Sequence, residues 1–131
     1  MDDRLTARVG WWRWRARSFG YAFQGLAICL RTQMNARIHA GAAVVAVALG
    51  FWLKIATWEW CAVIVVIALV WTAETFNTAL EFMVDLLSPE LHPLAGRIKD
   101  ISAAAVLLAA TGALAVGAII FAPKLWALLP R

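Results

Sequence analysis

Glu74, Asn77, Glu81 and Asp85 stand at intervals of three, four and four residues inside an apolar stretch. On a helix turning roughly 100° per residue, Glu74, Glu81 and Asp85 fall within about 20° of one line, with Asn77 about 60° to one side. Ionisable groups at membrane depth are expensive, so their presence points to function. Three carboxylates and an amide on one stripe suit a metal-assisted or acid–base site and not a membrane anchor. The run from His92 to Asp100, which includes Lys99, follows within one loop. A lysine beside carboxylates can hold a polyphosphate while the carboxylates hold Mg²⁺. A deeper carboxylate can take the proton of a lipid hydroxyl at the interface. This set of groups suits transfer of the ATP γ-phosphoryl group to a lipid alcohol.

The elements that must carry these groups follow from composition. The chain has 131 residues, 63% hydrophobic and 15% charged, with a formal charge of +4 and eight tryptophans. That is too apolar for an ordinary soluble domain of this size. Trp11, Trp12, Trp14, Trp58, Trp60 and Trp126 lie near the ends of apolar runs, as interfacial belts require. Arg4, Arg8, Arg13, Arg15, Arg17, Arg31 and Arg37 concentrate basic charge before position 38. With aromatic residues interleaved, this reads as a footprint for anionic lipid and not as a nucleic-acid arm. Cys29 and Cys61 have no CxxC or His spacing and read as buried thiols. The N-terminus lacks the pattern of a signal peptide.

Residues 1–17 form a basic, Trp-rich segment whose first ten residues are polar. A mixed-face helix over residues 11–36 fits the membrane interface, with its aromatic side in lipid. Three spans follow, at about 38–55, 60–87 and 101–122, with 127–131 as a tail. The second exceeds the roughly 20 residues needed to cross the hydrocarbon, so Glu81 and Asp85 emerge toward water. Pro89 and Pro93 make 88–93 a loop, and Pro123 with Lys124 stops the third helix. The expectation is an all-α, multi-pass membrane protein. The positive-inside rule places its N-terminus and the carboxylate stripe on the cytoplasmic side, where ATP is. The third span is dense in Ala, Gly and Ser, which lets helices approach closely. Three short spans enclose a polar site poorly, which predicts a homo-oligomer.

The residues Arg37-Ile-His39, Ala73-Glu-Thr-Phe-Asn-Thr-Ala-Leu-Glu81 with Val84-Asp85, and His92-Pro-Leu-Ala with Lys99-Asp100 resemble one known family. It is the prokaryotic diacylglycerol kinase family of small integral-membrane lipid kinases, which includes undecaprenol kinase. The resemblance covers residues 18–126. It implies a homotrimer in the bacterial cytoplasmic membrane, with an amphipathic surface helix and three spans per subunit and sites between subunits. It implies Glu74 as general base, Asn77 as a positioning group and Glu81 as ligand of the metal bridging the ATP phosphates. It further implies Lys99 on the phosphates, Asp100 at the nucleotide, and Asp85 and His92 in support of that site. Tyr21 is a candidate beside the nucleotide.

Where diacylglycerol-phosphorylating members carry a glutamate as second metal ligand, this chain has Gln33, whose amide oxygen brings no charge. His92-Pro-Leu, Phe121-Ala-Pro-Lys124 and Gln33 look more like the undecaprenol kinase branch. Diacylglycerol stays an alternative acceptor, and a small proton-coupled transporter with Glu74 as carrier is a rival of another class.

Structural roles compete residue by residue. Glu74 could bond to a neighbouring helix, Glu81 and Asp85 could pair with Arg97 or Lys99, and Lys99 or Arg37 could anchor a helix end. His39 is expected to hydrogen-bond within the bundle. Thr75 and Thr78 are expected to bond back to their own helix.

Overall fold

In a computed structural model, backbone is described for residues 3–88 and 92–129 and side chains from residue 11 onward. Pro89, Glu90 and Leu91 of the expected loop, and Arg131 of the tail, lie outside the described residues. Four helices follow in chain order: α1 (Asp3–Thr32), α2 (Met34–Trp52), α3 (Thr57–Leu87) and α4 (Pro93–Trp126). The last three are each long and apolar enough to cross a membrane. The helix begins at Asp3, so most of the polar first ten residues continue α1.

The first helix ends earlier than its pattern suggests, and no glycine or proline marks the break. Gln33 adopts an extended conformation, with φ −106° and ψ 123°, between α1 and α2. The last carbonyls of a helix lack intrahelical partners. Arg37 satisfies two of them, donating from Nε to Leu30 O at 2.9 Å and from Nη2 to Arg31 O at 2.6 Å. Arg37 therefore caps α1.

The span expected at 38–55 is α2, 19 residues or about 28 Å long. It closes in a Schellman turn: Ile55 N–H donates to Gly50 O at 3.1 Å and Lys54 N–H to Phe51 O at 3.3 Å. Lys54 holds the left-handed position, with φ 49°, that glycine usually takes. The close approach is at Gly50, where an added Cβ would lie 2.7 Å from the Trp60 ring. That ring packs against Phe51 at 4.8 Å and has little room to retreat. Gly50→Ala is expected to lower the thermal unfolding midpoint in detergent, through an overpacking cost of about 1–3 kcal/mol. An unchanged midpoint in helical circular dichroism would show that Trp60 moves aside freely.

The 31 residues of α3 run about 46 Å, longer than a bilayer's roughly 30 Å hydrocarbon core. α3 lies mainly along α4, α2 packs on α3, and α1 touches α2 and α3. Ile55, Val63, Ile120 and Phe121 form a core where α3 begins and α4 ends. The carboxylate of Glu59 is buried there, 3.1 Å from Lys124 Nζ, and accepts the Ala56 N–H at 2.6 Å. Both features lie at the end of the bundle away from Glu81 and Asp85.

α4 runs through Pro123 to Trp126 and does not stop there. Pro123 forfeits the bond to Ile119 O, but it lies in the last turn of α4, where the helix end can adjust and the freed carbonyl can find another partner. The chain resumes its turns beyond it, with Ala127 N–H donating to Pro123 O at 3.1 Å. Both cysteines are free thiols. Cys29 is buried as expected, whereas Cys61 is exposed on the outward face of α3.

Candidate active site

The unbroken helix α3 carries the polar stripe from the bundle interior to its end. By the helical rise, Glu74 lies about 10 Å from Glu81 along the axis, and Asp85 about 6 Å further on. Burial falls in the same order: Glu74 is fully buried, Asn77 is 5% exposed, Glu81 is half-buried and Asp85 is exposed. The stripe is thus a ladder from a dry inner acid to a wet outer one.

Glu81 is the hub. Its Oε2 accepts from Gln33 Nε2 at 2.7 Å and its Oε1 from Asn77 Nδ2 at 3.0 Å. The extended turn at Gln33 is what brings α1's end to α3. Asn77 in turn accepts from Ser102 Oγ on α4 at 2.7 Å. The Ser102 hydroxyl also lies 2.9 Å from Lys99 O, so one proton is shared between two acceptors. Two helices, α3 and α4, and the α1–α2 joint therefore meet in one hydrogen-bonded network.

Lys99, one turn before Ser102, pairs with Asp85 at 2.5 Å. The pair is exposed, and such pairs contribute little to stability. A phosphate group can displace Asp85 from the ammonium at small cost.

Glu74 stands apart chemically. Neither carboxylate oxygen has a hydrogen-bond partner among the described residues. Only its backbone carbonyl is engaged, by Thr78 Oγ at 2.9 Å. The Ala36 N–H, in the first turn of α2, faces this carboxylate without reaching hydrogen-bond geometry, and His39 lies within electrostatic range of it. Buried polar groups are nearly always paired, and an orphan calls for an explanation. A hydroxyl presented by a substrate would supply the missing donor.

The remaining candidates are placed differently. His92 is the N-cap of α4, its Nδ1 accepting from Leu94 N–H at 3.2 Å, ahead of Pro93 at the first helical position. Asp100 is exposed and makes no ion pair or hydrogen bond among the described residues. Tyr21 is 68% exposed on α1, and by the rise per residue about 18 Å from Gln33, outside the network. Thr75 bonds back to Thr72 O at 2.9 Å, as expected of it. His39 is half-buried and bonded to none of the described residues, contrary to the expected bond within the bundle. Ser102 was legible only as a small packing residue. Its signal is the three-residue step from Lys99, which sets both on one face of α4.

No group of three or more His, Cys, Asp or Glu side chains among the described residues could hold a metal alone. The donor set instead fits a cation that arrives with a nucleotide. Mg²⁺ commonly takes one or two protein oxygens and completes its shell with phosphates and water. Glu81 offers a carboxylate, and Gln33 offers an amide oxygen once its amide turns over.

Residues 20–121 match the family model described as prokaryotic diacylglycerol kinase. The chain is 37% identical over 109 residues to undecaprenol kinase of Bacillus subtilis, covering 83% of this chain and 89% of that protein. It is 37% identical over 113 residues to diacylglycerol kinase of Synechocystis, covering 86% and 65% respectively. To diacylglycerol kinase of Escherichia coli it is 34% identical over 90 residues, covering 69% and 74%.

Proposed function

The chain belongs to the prokaryotic diacylglycerol kinase family and is a membrane lipid kinase with a nucleotide phosphoryl donor, and we propose that it phosphorylates undecaprenol to undecaprenyl phosphate with ATP and Mg²⁺. The observation that carries this reading is the ladder on α3. A dry carboxylate without a partner, Glu74, lies in line with a networked carboxylate, Glu81, and a lysine that only an exposed acid holds.

The roles follow from depth. The alcohol enters sideways from the bilayer, and its hydroxyl donates to Glu74. Glu74 takes the proton as the hydroxyl oxygen attacks the γ-phosphorus and ADP leaves. Lys99 moves from Asp85 to the phosphates. Asn77, fixed by Ser102, holds Glu81 in register. Glu81, with Gln33 in support, would hold Mg²⁺, which would supply neutralisation of phosphate charge. Asp85, His92 and Asp100 border the nucleotide side, and Tyr21 of a neighbouring region could close over it only through assembly. Positioning and charge neutralisation supply the catalysis.

The same reading gives α1 as an amphipathic helix on the cytoplasmic surface of the bacterial inner membrane, with the N-terminus cytoplasmic. The Arg-rich start of α1 supports it. A homotrimer is the assembly proposed. Its support is the openness of the polar cluster in a single subunit, where Glu81 is half-buried and the side chains of Lys99 and Asp85 are exposed.

Transfer from labelled ATP in mixed micelles, with undecaprenol and diacylglycerol offered separately, tests the acceptor. Undecaprenol is expected to be the better substrate by kcat/KM. A preference for diacylglycerol would keep the mechanism and replace the acceptor.

A further inference from the structure

An apolar groove of about 510 Å³ runs between α2, α3 and α4. Its walls are aliphatic, with small residues such as Ala42, Ala46, Ala113 and Gly117 among larger ones such as Val66, and it reaches Phe121 at the far core. Along α2, from His39 to Leu49, it extends about 15 Å. Among the described residues that line it, His39 and Trp71 alone carry a polar side-chain atom. Val70 and Trp71, also in the lining, precede Glu74 by four and three residues, and so lie on the same face of α3, one turn deeper. The groove therefore ends where Glu74 begins.

Two polar groups lie at that end within electrostatic range of each other, and neither makes a side-chain hydrogen bond to a described residue. Glu74 has no donor in hydrogen-bond geometry, the nearest being the Ala36 N–H. His39 has an unused ring N–H. A carboxylate needs a hydrogen and an imidazole N–H needs a lone pair. An alcohol supplies both from one oxygen. A charged or bulky polar head would meet only apolar wall below this point.

Resting on the lipid-kinase reading with Glu74 as base, we infer that His39 is a positioning residue for the acceptor. Its ring N–H donates to the acceptor's hydroxyl oxygen while that hydroxyl's hydrogen points to Glu74. The first part of the apolar chain lies in the groove, and the remainder of a long chain continues into lipid. The occupant this fits is a long-chain alcohol with a single, uncharged hydroxyl end. No bond is made to His39, and the proton of the hydroxyl goes to Glu74.

The test is steady-state transfer in mixed micelles, varying acceptor and ATP separately, on the full chain. His39→Ala is expected to raise the KM for undecaprenol about tenfold, the worth of one net hydrogen bond, with the KM for ATP unchanged. His39→Gln, which keeps an N–H at similar reach, is expected to recover most of that loss. Ala113→Phe, which fills the groove, is expected to raise the KM for undecaprenol and not that for a short-chain alcohol. A wild-type acceptor KM in His39→Ala, or an equal rise in both KM values, overturns the inference. Glu74→Gln, run alongside, separates the claims. If it is inactive while His39→Ala behaves as wild type, the inference fails and the base assignment stands. If it turns over normally, the base assignment fails and takes the inference with it. A change of oligomeric mass in Ala113→Phe without a change in KM would give the groove to a second copy of the chain and overturn the chain assignment.

Discussion

Glu74→Gln is expected to lower lipid phosphorylation by about 10²–10⁴-fold, the usual worth of a general base. The same variant is expected to unfold at an unchanged or higher temperature. Glu74 is fully buried and its oxygens have no partner, so the native carboxylate burdens the fold wherever it is ionised. An amide of nearly the same shape removes the charge. It cannot accept the hydroxyl proton. Loss of activity with retained stability is the signature of strain kept for function. Both readouts are available from one preparation, by labelled lipid product and by thermal unfolding in detergent. A variant that loses activity only because it unfolds would return Glu74 to a structural role.

Glu81→Gln is expected to lower turnover by about 10²–10³-fold and to raise the Mg²⁺ concentration needed for half-maximal rate. Glu81 now accepts from two amide groups, Gln33 at 2.7 Å and Asn77 at 3.0 Å. A glutamine in its place must turn one N–H toward one of those donors, which loosens the network. The larger effect is electrostatic. Glu81 is the only carboxylate of the Gln33–Asn77–Ser102 network, so its neutralisation leaves an incoming cation with amide oxygens alone. Titration of rate against Mg²⁺ at fixed ATP reads this directly. An unchanged Mg²⁺ requirement would place the cation elsewhere, with Asp85 as the next acid along the stripe.

The stripe was legible because helical periodicity turns spacing into a line, and α3 has neither glycine nor proline between Thr57 and Leu87. The three spanning helices were legible for the same reason that membrane helices generally are, since a segment crossing lipid must be a continuous apolar run that satisfies its backbone within a helix. What joins the elements was not. The Gln33–Glu81 bond links positions 48 residues apart, a relation no local pattern carries. The break at Gln33 depends on Arg37 reaching back to Leu30 O and Arg31 O, with no breaker residue to announce it. Pro123 misleads in the other direction, because one missing N–H near a helix end does not end the helix. Ser102 was hidden in an alanine-rich run, where its size said packing and only its contact with Asn77 said network. His39 reads as an ordinary bundle histidine until the groove and the orphan acid are seen to meet beside it.

The most direct test of the central claim is to incubate the purified protein, reconstituted with undecaprenol, with Mg²⁺ and ATP labelled at the γ-phosphate, and to count label in the extracted lipid beside Glu74→Gln. The account predicts labelled undecaprenyl phosphate from the wild type, dependent on Mg²⁺, and almost none from a folded Glu74→Gln. Equal labelling by the two proteins, or no labelled lipid from a folded wild type with any alcohol, would contradict it.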